Sequence, residues 1–443
     1  MPDSKSNPYV SIVATSRNDN HGGDLLQRMQ VFVDSTARLA QQFEVPVELL
    51  LVEWNPPEDR PALVEALNWP DSNGYCSYRI VEVPPELHAE LDTAESLPLY
   101  QMIAKNVGIR RAAAPFILAT NVDIIPSEQL FAWLQQRKLR KRHIYRADRY
   151  DVATEVIGVQ GIDQQLEFCR NNLLRVNCRF GTFPLEGISA DQVAGQPSLN
   201  ALVRAEIKRR VFARLKTVPG SMARKIGKVA LDVSLRSLVR FAGRSLSALR
   251  KPFYWFAGSK TARVNSRLVI HTRRWIKKLV SRHRMKHLAA ASYHLIPYFK
   301  LHTNACGDFT LMAKSDWERL RGYAEFEMYS WHLDSLLVLA AYHAGFIEEV
   351  VPHPVYHIEH TGGWSPDSAE QLFAKLKQRG IPCMTNGDLE NYEWEMSRTL
   401  GAYHLNEDHW GFANCDLPDY IVDPQTAPVN TLPAEELSVG AAA

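Results

Sequence analysis

The stretch Phe116–Pro126 reads FILATNVDIIP. Its apolar run, Phe116–Ala119, has the length and composition of a buried strand. The run stops at Thr120, Asn121 and Asp123. Ile124, Ile125 and Pro126 follow, and Ser127 is placed to cap a helix. A carboxylate at the carboxyl end of a buried strand sits where open α/β sheets bind ligands. Asp123 is therefore a candidate for handling a metal or a phosphate. The plainer alternative is a strand-end turn, where Asn and Asp are favoured for local reasons.

The segment before it, Ala104-Lys105-Asn106-Val107-Gly108-Ile109-Arg110-Arg111-Ala112, reads as a helix leading into that strand. Helix, strand and N-x-D together resemble the core of GT-A glycosyltransferases, above all their family-2 group. There A-R-N-x-G-x-x-x-A precedes a strand and D-x-D. The resemblance implies that Asn106, Asn121 and Asp123 belong to the donor site. It makes Asp123 the ligand of a divalent metal that bridges the diphosphate of a nucleotide sugar. Asn121 stands where the family has its first Asp. A neutral amide can accept from a ribose hydroxyl but adds no negative charge for the metal, so weaker metal binding is expected.

A chain of 443 residues can bury a large core and hold two or three domains. Its 46% hydrophobic and 23% charged content are ordinary for a globular protein. The six cysteines are scattered without a C-x-x-C pair, so neither a zinc site nor a disulfide framework is expected. The start, MPDSKSNP, lacks an apolar leader, and no uninterrupted apolar run is long enough to span a bilayer. The expectation is a cytoplasmic protein, soluble or peripheral to a membrane.

Read in order, Tyr9–Thr15 is the first strand, followed by the polar turn Ser16–Asn20. Leu25, Leu26, Met29, Phe32, Val33, Thr36 and Leu39 then keep helical spacing, with Asp24 as cap. Val47–Glu53 and Tyr78–Val83 are the next strands, with a short helix within Glu58–Asn68 between them. A helix over Leu97–Ala113 follows. This alternation predicts an α/β protein with a mainly parallel, Rossmann-like sheet and helices on both faces. The resemblance narrows it to the GT-A fold and puts Ser16, Arg17 and Glu53 around the nucleotide base and ribose. Glu53 replaces the usual Asp, and a solvated strand-end charge is its alternative. The basic run Arg137–Arg142 reads as a solvated face. In the strand His143–Val152, the charges Arg146, Asp148, Arg149 and Asp151 suit either an ion-pair network under the donor site or a surface ladder.

From Ala201 to Ala290 the composition changes: 24 lysines and arginines face two acids, Glu206 and Asp232. That surplus of about +22 leaves about −20 on the rest of a chain whose net charge is +2. Lys228, Arg236, Arg240 and Arg244 lie opposite Leu231, Leu235, Leu238 and Leu246. Arg263, Arg267, Arg274 and Lys278 repeat the pattern opposite Val264, Leu268, Trp275 and Leu279. The aromatic cluster Pro252–Phe256 lies between them. Basic amphipathic helices with aromatic residues suit an anionic membrane surface. Nucleic acid is a weaker fit, and self-packed helices are the plainest alternative. The expected organisation is an N-terminal nucleotide-binding part over 1–195, this insertion over 196–292, an acceptor part over 293–381, and an extension over 382–443. The extension ends in a disordered tail from Leu417.

Beyond the insertion, Asn304–Met312 (NACGDFTLM), Trp317 and Leu320-Arg321-Gly322-Tyr323 resemble the G-D-F-x-L-M…W-x-x-L-x-G-Y segment of family-2-like enzymes and of the galactosyltransferase C-terminal module. The resemblance puts Asp308 at the acceptor or donor sugar; a strand-end cap is the alternative. Glu325–Gly345 matches the next family segment, and Asp334 falls on the general base of inverting members, with Leu333 in place of the usual Glu. Trp331 beside it would stack on an acceptor sugar or join the core. In VYHIEHTGGW, His357 and His360 flank Glu359; the resemblance favours His360 as a metal ligand, and imidazole favours manganese over magnesium. Thr361–Trp364 reads as a closing loop that brings Trp364 to the acceptor. The expectation is a metal-dependent (Mn2+ or Mg2+), inverting glycosyltransferase. Its donor would be a UDP- or GDP-sugar and its acceptor a glycan or lipid-linked hydroxyl. Its rivals are a sugar nucleotidyltransferase and a membrane-associated scaffold whose site has decayed.

Overall fold

Strands buried on both faces build the sheet. In the computed structural model, which describes residues 7–179, 181–185, 301–360, 369–399 and 401–426, the first strand β1 (Val10–Ser16) is buried along its whole length. Val10, Ile12 and Ala14 face one core layer and Val13 the other. In β2 (Val47–Trp54), Val47, Leu49 and Leu51 join the first layer, and Leu50, Val52 and Trp54 the second. A strand with apolar neighbours on both faces favours a hydrophobic run, which explains the LLLV centre of VELLLVEW; its two glutamates, Glu48 and Glu53, are buried with it. The next strands are β3 (Cys76–Val83), β4 (Phe116–Ala119), β5 (Ile124–Pro126) and β6 (His143–Val152). They are followed by β7 (Leu173–Cys178), β8 (Gly181–Pro184), β9 (Thr310–Ala313), β10 (Ile347–Ile358) and β11 (Asp419–Val422).

The sheet runs β11-β3-β2-β1-β4-β9-β6-β10-β5, with β7 on β6 and β8 on β7. β1 to β4 pair in parallel, as the sequence predicts. Beyond β4 the sheet is mixed. β9 runs antiparallel between β4 and β6, β10 is parallel to β6, and β5 and β11 are antiparallel edges. The chain is thus α/β with a mixed, mostly co-directional sheet of Rossmann-like type. The carboxyl ends of β1, β2, β4, β6 and β10 share one edge, and the turn into β9 arrives there as well.

Helices cover both faces. α1 (Leu25–Gln42), α5 (Glu128–Gln135) and α6 (Ile162–Asn171) supply one layer. α4 (Gln101–Arg111), α7 (Lys314–Leu320) and α8 (Leu333–His343) supply the other. Short α2 (Leu63–Ala66) and α3 (Pro85–Ala89) lie in the loops after β2 and β3, and α9 (Ala369–Gln378) and α10 (Asn386–Arg398) follow β10. Gly108 explains the glycine of the α4 motif: a Cβ there would meet Val13 Cγ1 at 2.5 Å and Val52 Cγ2 at 2.9 Å. Ser127 caps α5 as expected, accepting from Leu130 N–H. Asp24 occupies the cap position of α1 with a left-handed backbone and no capping bond; Asn20 Oδ1 accepts from Leu25 N–H instead.

Residues 1–196 and 301–443 form one compact unit, so nucleotide-binding part, acceptor part and extension are not separate bodies. Residues 197–300 divide off as a second unit that lies outside the described residues, and with it the readings of the basic insertion. The expectation of a disordered tail from Leu417 does not hold for residues 417–426. Leu417 is buried, and Asp419–Val422 pairs with β3, where Arg79 binds Asp419. Among the described residues no helix is long and apolar enough to cross a membrane.

Candidate metal and catalytic site

Strand register assembles the first part of the site. Thr120 N–H donates to Val13 O at 2.9 Å, so β4 stays tied to β1 up to the turn. β5 then pairs with β10 with Ile124 opposite His357, and Ile358 N–H donates to Asp123 O at 3.0 Å. Asp123 is thereby fixed beside the end of β10. Its Oδ2 lies 3.2 Å from His360 Nε2 and 3.6 Å from His357 Nε2. Its Oδ1 is buried without a hydrogen-bond partner. Asp123, His357 and His360 offer ligand atoms within 4.8 Å of one another, a set that could hold a metal ion. An orphaned carboxylate oxygen beside two imidazoles fits such an ion, because a buried acceptor without a partner is costly.

Arg28 completes the surround. Its guanidinium is buried, pairs with Asp123 Oδ2 at 3.2 Å, and donates to the carbonyls of His21 and Gly23. Burial raises the Asp123 carboxyl, but the His357 and His360 imidazoles outweigh it and hold the group well below its usual range. Burial and Arg149 push the His357 imidazole down, yet Asp123 and Asp151 carry it up to about 9.

Behind His357 stands a network the sequence left undecided. Its Nδ1 is 3.3 Å from Asp151 Oδ1. Asp151 is fully buried, ion-paired with Arg149 at 2.8 Å and with Arg175, and accepts from Asn177 at 3.0 Å. Burial opposes its charge, but Arg149, His357 and Arg175 hold the carboxyl below its usual range. Arg146 is buried as well and donates to the carbonyls of His302 and Cys306. The charges of β6 are therefore an interior network, not a surface ladder. Asp151, His357 and Glu359 form a second potential metal group. Arg149 and Arg175 between them pair with both of its carboxylates and it offers one imidazole, whereas the Asp123 group meets the single Arg28 and offers two imidazoles, so the Asp123 group is the better cation site.

A third group joins this centre to Asp334. Lys105, fully buried in α4, donates to Asn121 Oδ1 at 2.7 Å and Gly307 O at 2.8 Å. Burial lowers its ammonium to about 8 against the opposing pull of Asp308, Asp334 and Asp123. Asn121 Nδ2 donates to Asp308 Oδ1 at 2.5 Å, and Arg149 holds Asp308 Oδ2 at 2.7 Å. Gly307 N–H donates to Asp334 Oδ2 at 2.8 Å, and Ser335 N–H to Asp334 Oδ1 at 2.7 Å. Asp334 lies in the first turn of α8 and remains partly exposed.

Asn121, Asp123, Asp308, Asp334 and His360 are thus brought to one edge of the sheet. Other expected site residues have different work. Asn106 is fully buried and clamps the Gly322 turn, donating to Tyr323 O and Glu325 and accepting from Tyr323 N–H. It has nothing left for a donor. Glu53 is buried and takes Leu63 N–H at the start of α2 with both oxygens, at 2.9 and 3.0 Å. Burial pushes its carboxyl up to about 7, so it is neither a solvated charge nor an open ribose contact. Asp308 is almost wholly buried and engaged on both oxygens, so it braces the site from within instead of facing an acceptor. Ser16 is buried at the end of β1, and Arg17 is braced on Asn55 O at 2.7 Å and Asp19 at 3.3 Å. Trp331 is half-buried against Phe373 and His332. Trp364 lies outside the described residues.

Sequence reasoning missed Arg28 and Lys105 and ranked His357 second. One signal was present: Arg28 falls on the apolar stripe of α1 between Leu25 and Phe32, where a charge needs a buried partner. A cavity of about 570 Å³ lined by Tyr9, Pro115, Arg137 and Lys314 opens at the opposite, amino end of β1 and β4. It holds none of this chemistry, and the buried charges mark the site better than the concavity does. No protein-family model matches the chain, and no curated protein sequence matches it.

Proposed function

We propose that the chain is a GT-A glycosyltransferase that moves a sugar from a UDP- or GDP-sugar to a hydroxyl of a glycan or lipid-linked acceptor, with inversion. The observation that carries this reading is the convergence of Asp123, His357 and His360 at one sheet edge, with Asp123 Oδ1 unpartnered. Lys105 and Gly307 link that centre to the Asp334 carboxylate.

Asp123, His357 and His360 would hold a divalent ion, whose positive charge favours departure of the nucleoside diphosphate. Two imidazoles and one carboxylate suit manganese better than magnesium. Two backbone N–H groups fix the Asp334 carboxylate, and its remaining lone pairs can take the acceptor proton as the hydroxyl attacks the anomeric carbon. Trp331, three residues before Asp334, keeps part of its ring surface exposed, which suits stacking on a sugar face.

The nucleotidyltransferase reading has less support, because it needs free backbone N–H groups after β1 to cradle phosphates. Here His21 N–H donates to Asp19, Gly23 N–H to Asn20 O, and Leu25 N–H to Asn20 Oδ1. The test is incubation with UDP- and GDP-sugars and manganese, following nucleoside diphosphate release, with Asp123→Asn as control. Release lost in the variant supports the proposal. Neither release nor a thermal shift with any donor overturns it. Pyrophosphate formed from a nucleoside triphosphate and a sugar phosphate would favour the nucleotidyltransferase.

A further inference from the structure

The amide at position 121, where a carboxylate would complete D-x-D, has neighbours of opposite hydrogen-bonding character. On one side stand only donors: Lys105 Nζ at 2.7 Å and Gln101 Nε2 at 2.9 Å, both directed at Asn121 Oδ1. On the other side stands an acceptor, Asp308 Oδ1, 2.5 Å from Asn121 Nδ2. An ammonium can only donate and an ionised carboxylate can only accept. The two ends of the amide are therefore assigned by their partners, and no flip satisfies them. Arg149 takes the other oxygen of Asp308 at 2.7 Å, and Asp308 O accepts from Thr120 Oγ1 at 2.7 Å.

We propose that Asn121 is a positioning residue required as an amide opposite Asp308, and that a carboxylate at 121 facing Asp308 disables the site instead of completing it. The inference deepens the glycosyltransferase reading, since it concerns the loop that carries Asp123. The hydrogen-bond argument itself stands on geometry alone. Asn121 works through two partners. Lys105 binds it and Gly307, whose N–H holds Asp334; Asp308 binds it and Arg149, which pairs with Asp151 behind His357. One neutral side chain thus joins the metal half of the site to the Asp334 half. A second carboxylate at 121 would set oxygen against oxygen at hydrogen-bond distance from Asp308, with no proton donor between them. Like charges held this close in a buried setting are repulsive.

The test is a polarity swap in the full-length protein: Asn121→Asp, Asp308→Asn and the double variant. N121D places two acceptors face to face; the double variant restores one donor and one acceptor with the chain's charge unchanged. Each single variant should lower the melting temperature by about 5 °C or more, and the double should recover most of the loss. A merely structural polar pair would show no particular effect on metal, so manganese affinity is measured by calorimetry in parallel. N121D should bind manganese about tenfold or more weakly than the native protein, and the double variant should approach native affinity. N121D as stable as the native protein, or singles that simply add in the double, would overturn the proposal. So would unchanged manganese affinity in N121D, the mark of a merely structural pair, or binding tenfold tighter, which would make Asn121 a lapsed metal-side carboxylate. If no sugar donor turns over while the swap restores stability and affinity, the function fails and this inference stands.

Discussion

In the proposed function Asp123 and Asp334 divide the chemistry between them, and their amide variants should fail differently. Asp123→Asn keeps the volume beside Arg28 but gives the cation site a neutral oxygen; manganese affinity should fall by on the order of 100-fold. Asp334→Asn should leave manganese and donor affinity near native and lower turnover by about 100-fold or more. Calorimetry on both variants decides. Unchanged manganese binding in the first would remove Asp123 from the site, and an equal loss of donor affinity and turnover in the second would make Asp334 a binding group. Glu53 tests a different property. Its carboxyl stands at about 7 in the fold, above its ordinary value, because burial opposes its charge. Folding therefore favours the protonated form. Its stability contribution is fully present below about pH 4.5 and is lost as pH rises through about 7, a change of up to about 3 kcal/mol. Glu53→Gln keeps an acceptor for Leu63 N–H without that charge. Denaturant titrations at pH 5 and 8 should show a smaller loss of stability in the variant than in the native chain, and parallel curves would count against the assignment.

At the scale of the element, Gly108 sets how closely α4 lies on the sheet. Alanine would gain about 1 kcal/mol of helix propensity. It would also drive a methyl group into Val13 and Val52, neither of which can move out of a strand core, and such overpacking costs about 1–3 kcal/mol. Gly108→Ala should therefore be net destabilising by up to about 2 kcal/mol in chemical denaturation, and a stabilised variant would mean that α4 can lift away. The same elements account for what the sequence revealed. β4 and β6 have the expected limits because one is an apolar run between Pro115 and Thr120 and the other an alternating run after the basic Arg137–Arg142. Local pattern cannot show pairing. The antiparallel entry of β9 and the extension of β10 past Val351 depend on partners far away in the chain. β11 was hidden for the same reason: Tyr420 and Ile421 are exposed, and it is a strand only because β3 offers an edge. In the site, Asp123 and His360 were legible from ordered motifs. Arg28 and Lys105 were not, because a buried cation is recognised by what surrounds it. Asn106 and Glu53 were misread because a motif records that a residue is required without saying whether it touches a ligand or holds a turn.

For the whole molecule, charge is the property that the α/β unit alone does not explain. The surplus of about +22 over residues 201–290 is set against about −20 elsewhere. We expect the full chain to float with anionic vesicles and not with neutral ones. Binding should weaken steeply with salt, because each Lys or Arg near such a surface contributes about 1 kcal/mol and is screened. Failure to float with either would exclude a lipid surface, and tight binding to RNA or DNA at physiological salt would replace it. The placement of β9 has a further consequence. Phe116–Ala119 lies against Thr310–Ala313, so the two halves of the sheet meet through a strand made long after its neighbours. A ribosome adding about 5–20 residues per second needs roughly 10–30 s to travel from Val152 to Thr310. Throughout that interval β4 and β6 each present an unpaired edge, and open edges recruit other chains. The growing polypeptide is thus more exposed to aggregation than the finished protein. Slower initiation or cooler growth, which keeps nascent chains further apart, should raise the soluble yield more than any substitution in the completed core.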